Sequence, residues 1–209
     1  KSITSTYNKN KKFRYILMNN NSIIVAENIS YKINENKLFH NLSFNVNKGE
    51  ALHITGTNGS GKSTLIRIIL GITNQTKGEL NNLSSKGITY LGHKNALKSY
   101  LTLEDNIALM ELDSDINLKK YIEILNLKKY YDVTVSSLSF GQQKKLALLR
   151  VFLNQSDLLV LDEPFVGLDI DTHMILTNFL NKELEINKSI IYTSHIQCDI
   201  KSNTLDINK

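Results

Sequence analysis

Residues 56–64 constrain the fold of this chain more than any other part of the sequence. They satisfy the phosphate-binding pattern G-x-x-x-x-G-K-[ST] at every required position. In order they are Gly56, Thr57, Asn58, Gly59, Ser60, Gly61, Lys62, Ser63 and Thr64. Apolar segments lie on both sides, at residues 51–55 and 65–70. The sequence therefore predicts a strand, a glycine loop and a helix, with a nucleoside triphosphate bound at the loop.

The residue types in this loop suit phosphate chemistry. Its glycines permit backbone conformations closed to other residues, so N–H groups can face phosphate oxygens at a helix N-terminus. Lys62 is expected to reach the β- and γ-phosphates, and the Ser63 hydroxyl to ligate Mg²⁺. The alternative is a chance match in a Gly/Ser loop. Further motifs in the chain must decide between these two interpretations.

A second motif places two adjacent carboxylates after an apolar segment. The sequence Leu-Leu-Val-Leu at 158–161 is followed by Asp162, Glu163 and the only proline, Pro164. Open α/β sheets bind ligands at the carboxyl ends of their strands. Asp162 is therefore predicted to contribute to the Mg²⁺ site, and Glu163 to orient or activate the attacking water. A solvated acidic pair after a strand is the alternative.

The composition and charge exclude several classes of protein. A length of 209 residues with 41% hydrophobic residues is ordinary for one globular domain. Five of the basic residues lie in the first 14, and the rest of the chain carries as many acidic as basic residues. Nucleic-acid binding is therefore not expected. We expect no membrane span or signal peptide, so that work at a membrane would require a partner.

The predicted organisation is a basic flexible arm at 1–21 and one nucleotide-binding domain at 22–209. A targeting peptide is the alternative for the arm. Asn, Ile and Lys supply about a third of the residues. All three have AT-rich codons, which suggests the genome of an organelle or a reduced endosymbiont.

The fold class predicted from hydrophobic periodicity is α/β, with a mostly parallel core sheet, an antiparallel edge sheet and a small helical subdomain. The edge strands are predicted at 22–26 and 42–46, a turn at 77–80 and helices within about 98–155. The later core elements are predicted as strands at 87–91, 158–161 and 189–193 and a helix at 172–185.

Three more motifs follow in order along the chain. They are Leu-Ser-Phe-Gly-Gln-Gln at 138–143, Val-Gly-Leu-Asp at 166–169 and Thr-Ser-His at 193–195. With the glycine loop and the acidic pair, their order and spacing resemble those of the ATP-binding subunits of ABC transporters. This resemblance covers residues 23 to about 200. It implies that ATP and Mg²⁺ are bound, and that two such subunits enclose two ATP molecules head to tail.

The resemblance also implies roles for individual residues. Ser139, Gly141 and Gln142 would contact the γ-phosphate held by the Lys62 loop of the opposite subunit. Asp169 would lie at the dimer interface, and His195 would hold the γ-phosphate. From the sequence alone, Ser139 has a second interpretation as a simple helix cap.

Two positions depart from the common pattern of the family. His93 lies where most members have a glutamine that contacts Mg²⁺, and Ile33 lies where an aromatic residue usually stacks on adenine. Tyr31, two residues earlier, is the alternative stacking residue. For Tyr31, packing in the core or on the surface is the other interpretation. His93 and Tyr31 are both candidate ATP contacts.

The Gly92-His93 pair, together with the segments 101–106 and 138–145 and the short chain, resembles one subfamily. This is the ATP-binding subunit of the haem transporter of cytochrome c maturation, the CcmA type. This implies an integral membrane partner subunit, with haem or a haem chaperone met only indirectly. The expected location is peripheral, on the matrix side of the mitochondrial inner membrane or the cytoplasmic face of a bacterial inner membrane. The alternatives are a transporter of another cargo, a soluble ATPase acting on ribosomes or DNA, and a nucleotide-dependent binding module with little hydrolysis.

Overall fold

The computed structural model describes residues 21–34 and 36–208. Apart from Asn21, the predicted basic arm lies outside these residues. The strands are β1 (Ser22–Ile33), β2 (Asn36–Asn47), β3 (Ala51–Thr55), β4 (Lys77–Asn82), β5 (Ile88–Leu91), β6 (Leu158–Asp162), β7 (Ser189–Thr193) and β8 (Asn203–Asp206). The α-helices are α1 (Lys62–Ile69), α2 (Leu103–Leu109), α3 (Leu118–Ile124), α4 (Phe140–Phe152) and α5 (Ile170–Glu185).

The central sheet has five strands in the order β5-β6-β7-β3-β8, and all neighbouring strands are parallel. Every residue of β6 and β7 is buried. This is the pattern expected of parallel strands that are covered on both faces. The predicted α/β class with a parallel core is therefore confirmed.

Two apolar clusters lie on opposite faces of this sheet. In β6, Leu159 and Leu161 belong to the cluster formed with α4 and α5, whereas Leu158 and Val160 belong to the cluster formed with α1 and the antiparallel sheet. This alternation follows from the two-residue period of a strand. The molecule is consequently layered, and the carboxyl ends of β3, β6 and β7 lie together at one edge.

The second sheet is antiparallel, with the strand order β2-β1-β4. β1 and β2 are longer than predicted, and the turn predicted at 77–80 is wrong because these residues belong to β4. A Cβ atom at Gly78 would lie 2.4 Å from the Glu27 carbonyl oxygen, and the φ angle of Gly78 is +85°. Glycine therefore allows β4 to approach the backbone of β1.

The segment predicted as a helical subdomain contains α2, α3, α4 and 3₁₀ turns at Lys128–Tyr130 and Val135–Ser137. Thr102 begins α2 with a capping box shared with Asp105. That residues 98–155 form a separate subdomain stays a prediction. Across residues 21–34 and 36–208, each helix falls short of the length and apolarity needed to span a bilayer.

Candidate functional site

The glycine loop lies between β3 and α1, as the motif requires. Gly61 is the N-cap of α1 and has a left-handed backbone with φ 101°. The Nζ of Lys62 donates hydrogen bonds to the carbonyl oxygens of Gly56, at 2.8 Å, and Thr57, at 3.1 Å. The lysine side chain thus lies folded over its own loop. An anion at the N-terminus of α1 would offer this ammonium a stronger, charged acceptor.

The acidic pair lies where two parallel strands end side by side. Asp162 of β6 pairs in register with Thr193 of β7. The Thr193 hydroxyl donates to Asp162 Oδ1 at 2.7 Å and accepts from the Glu163 N–H at 3.0 Å. Thr193 is fully buried, so its hydroxyl fixes both acidic residues at the strand ends. Sequence reasoning gave it no role, although it belongs to the Thr-Ser-His motif.

Glu163 combines an unusual backbone with a buried, incompletely bonded carboxylate. Its φ angle is +52°, in the left-handed region that non-glycine residues adopt rarely. Its Oε2 accepts from the His195 N–H at 3.1 Å, and its Oε1 lies 3.5 Å from His195 Nε2. Oε1 is buried, and within the described part of the chain no group donates a hydrogen bond to it. Buried carboxylate oxygens normally accept a hydrogen bond from the protein or from water, so this oxygen is available to accept one from a water molecule.

One cleft of about 620 Å³ brings most of the predicted nucleotide contacts together. It is lined by Asn58, Gly59, Gly61, Lys62, Ser63 and Thr64 of the loop. His93, Asp162, Glu163 and His195 line it from three other segments. Thr57 and Ser60 line an adjoining cleft of about 460 Å³, which also touches Asn58 and Gly59. Gly56, at the start of the loop, lines neither cleft, and a Cβ atom there would lie 2.6 Å from Ser60 Oγ.

The structure does not place Tyr31 in either cleft. Its ring stacks on Phe39 at a centroid distance of 6.2 Å and packs against the apolar cluster under the antiparallel sheet. Ile33 and Leu38 line the larger cleft instead. Packing within the edge sheet, the other interpretation of Tyr31, describes its position here. Its stacking on adenine stays a prediction.

Ser139, Gly141 and Gln142 lie outside the cleft that Lys62 lines. Ser139 is the exposed N-cap of α4, as predicted, and accepts from the Gln142 N–H at 3.3 Å. Gln142 Oε1 accepts from the Ser139 N–H at 2.7 Å, completing a capping box. The start of α4 is therefore ordered and solvent-facing, with the positive end of the helix directed outward.

Asp169 ties the 166–169 motif to the same helix. It caps α5 by accepting from the Thr172 N–H at 2.8 Å, and it pairs with the Nζ of Lys145 at 2.6 Å. Hydrogen bonds from Lys145 and Thr172 lower the pKa of Asp169 to about 2. A Cβ at Gly141 would lie 2.9 Å from the Gly167 carbonyl oxygen. The two motifs thus form one continuous surface.

Lys144 contacts Glu163 from outside the cleft, and no sequence pattern predicted this contact. It is 1% exposed, and its Nζ donates to the Glu163 carbonyl oxygen at 3.2 Å. Burial lowers the pKa of Lys144 to about 8, against the opposing effect of the nearby Asp162 and Glu163 carboxylates. The Lys-Lys pair at 144–145 is typical of a solvated helix face, so its sequence gave no signal of burial.

The residues present fit a magnesium–nucleotide complex. Ser63 and Asp162 line the same cleft and offer one hydroxyl and one carboxylate. Mg²⁺ typically takes one or two such protein ligands and completes its octahedron with phosphate oxygens and water. The unpaired Oε1 of Glu163 in the same cleft is consistent with a water that the nucleotide complex would hold.

The sequence of the chain is similar to those of known ATP-binding proteins. The family profile described as ABC transporter matches residues 39–166. The cytochrome c biogenesis ATP-binding export protein CcmA of Escherichia coli K12 is 31% identical over 184 residues, covering 83% of this chain and 89% of its own. CcmA 1 of Salmonella typhimurium is 30% identical over 183 residues, with the same shares covered.

Solved structures share the fold. An ATP-binding subunit of an ABC transporter superposes with a TM-score of 0.75 at 23% identity, covering 88% of this chain and 85% of its own. The ATP-binding cassette MJ0796, described as a dimer in a post-hydrolysis state with ADP and Pi, gives a TM-score of 0.68 at 24% identity, with 83% and 88% covered. The chain therefore belongs to the ABC transporter family as an ATP-binding subunit, and it is an ABC-type ATPase.

Proposed function

We propose that this chain is the ATP-hydrolysing subunit of a membrane transporter that exports haem, or releases a haem-carrying chaperone, in cytochrome c biogenesis. The observation that carries this proposal is the 31% identity over 184 residues to a protein named for cytochrome c biogenesis. The Gly92-His93 pair, which lies at the cleft through His93, is the local feature that agrees with it.

The proposed reaction is in-line attack of water on the γ-phosphate of ATP. Glu163 Oε1, buried and unpaired, would accept a hydrogen bond from the attacking water. Lys62 and the N–H groups at the start of α1 would stabilise negative charge on the phosphates. His195, within 3.5 Å of the Glu163 carboxylate, would contact the γ-phosphate. Bound Mg²⁺, held by Ser63 and Asp162, would neutralise phosphate charge.

The proposed active unit is a homodimer with two ATP molecules at its interface. Ser139, Gly141 and Gln142 lie outside the cleft of their own Lys62, so a second copy would have to supply these groups. Asp169, with a side chain 56% exposed, would lie at the same interface. ATP binding would close the dimer, and hydrolysis would reopen it.

The proposed membrane partner is an integral transporter subunit that contacts the cargo. Haem would then meet this chain only indirectly, and no nucleic-acid partner is proposed. The location would be peripheral, on the matrix side of the mitochondrial inner membrane or the cytoplasmic face of a bacterial inner membrane. The relatives named above are bacterial and give no support to the mitochondrial alternative.

Depletion of the chain from its source organism, followed by haem staining of c-type cytochromes, tests the cargo. We expect covalently bound haem to fall while b-type cytochromes persist. The wild-type chain should restore the signal, and E163Q should not. Normal c-type cytochromes after depletion would reject the haem role. Recovery of ribosomal or DNA material with the purified chain, in place of a membrane subunit, would favour the soluble alternative.

A further inference from the structure

A buried ammonium group lies directly behind the acidic pair. Lys144, the fifth residue of α4, is 1% exposed, and its Nζ donates to the Glu163 carbonyl oxygen at 3.2 Å. A lysine is almost never buried to this degree without a partner, because removing the charge from water is unfavourable. The hydrogen bond to the Glu163 carbonyl oxygen is therefore the specific interaction that the buried ammonium group makes.

That neighbour has a backbone that needs support. Glu163 follows the last residue of β6, so the sheet ladder no longer holds its peptide groups. Its φ of +52° is unfavourable for a residue with a side chain. Two side chains hold it instead, since Thr193 Oγ1 accepts from its N–H and Lys144 donates to its carbonyl. The direction of the Glu163 carboxylate depends on both anchors.

The electrostatic setting agrees with the geometry. Asp162 and Glu163 raise the pKa of Lys144, whereas burial lowers it more strongly. The two carboxylates are therefore the charges that partly offset the desolvation of the ammonium. Removing the ammonium would leave the Glu163 carbonyl without its donor and the acidic pair without a buried positive neighbour.

We propose that Lys144 is a positioning residue for hydrolysis, which holds the backbone of Glu163 so that its carboxylate meets the attacking water. Lys144 does not line the cleft, and within residues 21–34 and 36–208 the one hydrogen bond of its side chain goes to the Glu163 carbonyl oxygen. It should therefore affect turnover and leave nucleotide binding unchanged. This inference rests on the proposed role of Glu163.

The test uses the full chain and begins with two variants of Lys144. In K144M, which keeps the length of the side chain but removes the donor, we expect kcat to fall about tenfold or more, because small misplacement of a catalytic group lowers the rate strongly. The Kd for ATP should stay within about twofold. In K144R, which keeps the charge and donor, kcat should stay within about threefold of the wild type.

Lys188 provides the matched control. Its Nζ binds Glu183 Oε2 at 2.6 Å and Asn154, and it lies just before β7, at the opposite end of the strands from the cleft. K188M should lower the thermal unfolding midpoint without changing kcat. If K144M does not fold, K144Q takes its place. The glutamine side chain is shorter than lysine, so its amide should not reach the Glu163 carbonyl oxygen.

The outcomes separate positioning from simple stabilisation. A wild-type kcat in K144M, an equal loss of ATP affinity, or the same loss of kcat in K188M would overturn the proposal. The proposal would also be overturned if neither K144M nor K144Q folds. The role of Glu163 is measured separately with E163Q: if that variant turns over ATP normally, the proposed site itself fails, whatever Lys144 does.

Discussion

At the scale of single residues, hydrolysis would depend on groups that must change partners when nucleotide binds. The clearest case is Lys62, whose Nζ donates to two carbonyl oxygens of its own loop. Phosphate oxygens are stronger acceptors than carbonyls because they are charged. Lys62 should therefore leave the loop carbonyls and contribute to ATP affinity itself.

The K62A variant tests this expectation. A hydrogen bond to a charged group contributes about 1.5–3 kcal/mol, so the Kd for ATP should rise roughly 10- to 100-fold. The measurement is equilibrium binding of ATP by calorimetry. R67A is the control, since Arg67 is exposed at the last turn of the same helix. Unchanged ATP affinity in K62A would argue against the phosphate cradle.

The lowered pKa of Lys144 predicts how the free energy of unfolding depends on pH. Its pKa is about 8 in the folded chain and about 10.5 when unfolded, so the unfolded state binds more protons between these values. The free energy of unfolding should therefore gain a favourable contribution as pH rises from 8 to 10.5. Urea titrations of wild type and K144M measure it as a difference that grows across this window. A difference independent of pH would contradict the lowered pKa.

The residues that the sequence could identify are those whose motif is local. The glycine loop, the acidic pair and the Ser139 cap each lie within one short segment, so spacing alone locates them. Lys144 and Thr193 could not be identified in this way. Their importance arises from contacts with Glu163 that join residues 19 and 30 positions apart.

At the scale of elements, apolar strands were predictable and polar strands were not. β6 and β7 contain the continuous apolar runs 158–161 and 190–192 because both faces of the central sheet are covered. β4 has the sequence Lys-Gly-Glu-Leu-Asn-Asn, which is typical of a turn. Only its pairing with β1 makes it a strand, and that pairing joins residues more than 45 positions apart.

The approach of β4 to β1 predicts a difference between two glycines. Gly78 and Gly87 have φ angles of +85° and +83°, but an added Cβ would meet the Glu27 and Asn28 backbone at Gly78 and nothing within 4 Å at Gly87. Both alanine variants carry the same unfavourable φ. G78A should therefore lose about 1–3 kcal/mol more unfolding free energy than G87A, because of overpacking. Equal losses by urea denaturation would contradict this close approach.

At the scale of the whole molecule, the fold class was predictable because the glycine loop, the acidic pair and the apolar strands agree with each other. The proposed composite ATP site rests only on the family resemblance. No local pattern places Ser139 outside the cleft that Lys62 lines. That depends on α4 and α1 lying on opposite faces of the central sheet.

A mixing experiment tests the composite site at this scale. S139D keeps a good N-cap for α4 but places a negative charge where the γ-phosphate of the opposite subunit would lie. K62A and S139D homodimers should each hydrolyse ATP poorly. In their heterodimer one site carries both defects and the other carries none. Because half of randomly mixed dimers are heterodimers, the mixture should recover up to about a quarter of wild-type turnover.

The control for mixing is a double variant that carries K62A and S139D in one chain. Paired with either K62A or wild type, this chain leaves every composite site with at least one defect, so no new activity should arise. If each subunit instead completed its own site, S139D would already impair hydrolysis without any partner, and mixing K62A with S139D would restore nothing. Steady-state phosphate release at several subunit ratios distinguishes the two arrangements. Recovery that peaks near equal amounts requires that each chain supply what the other lacks.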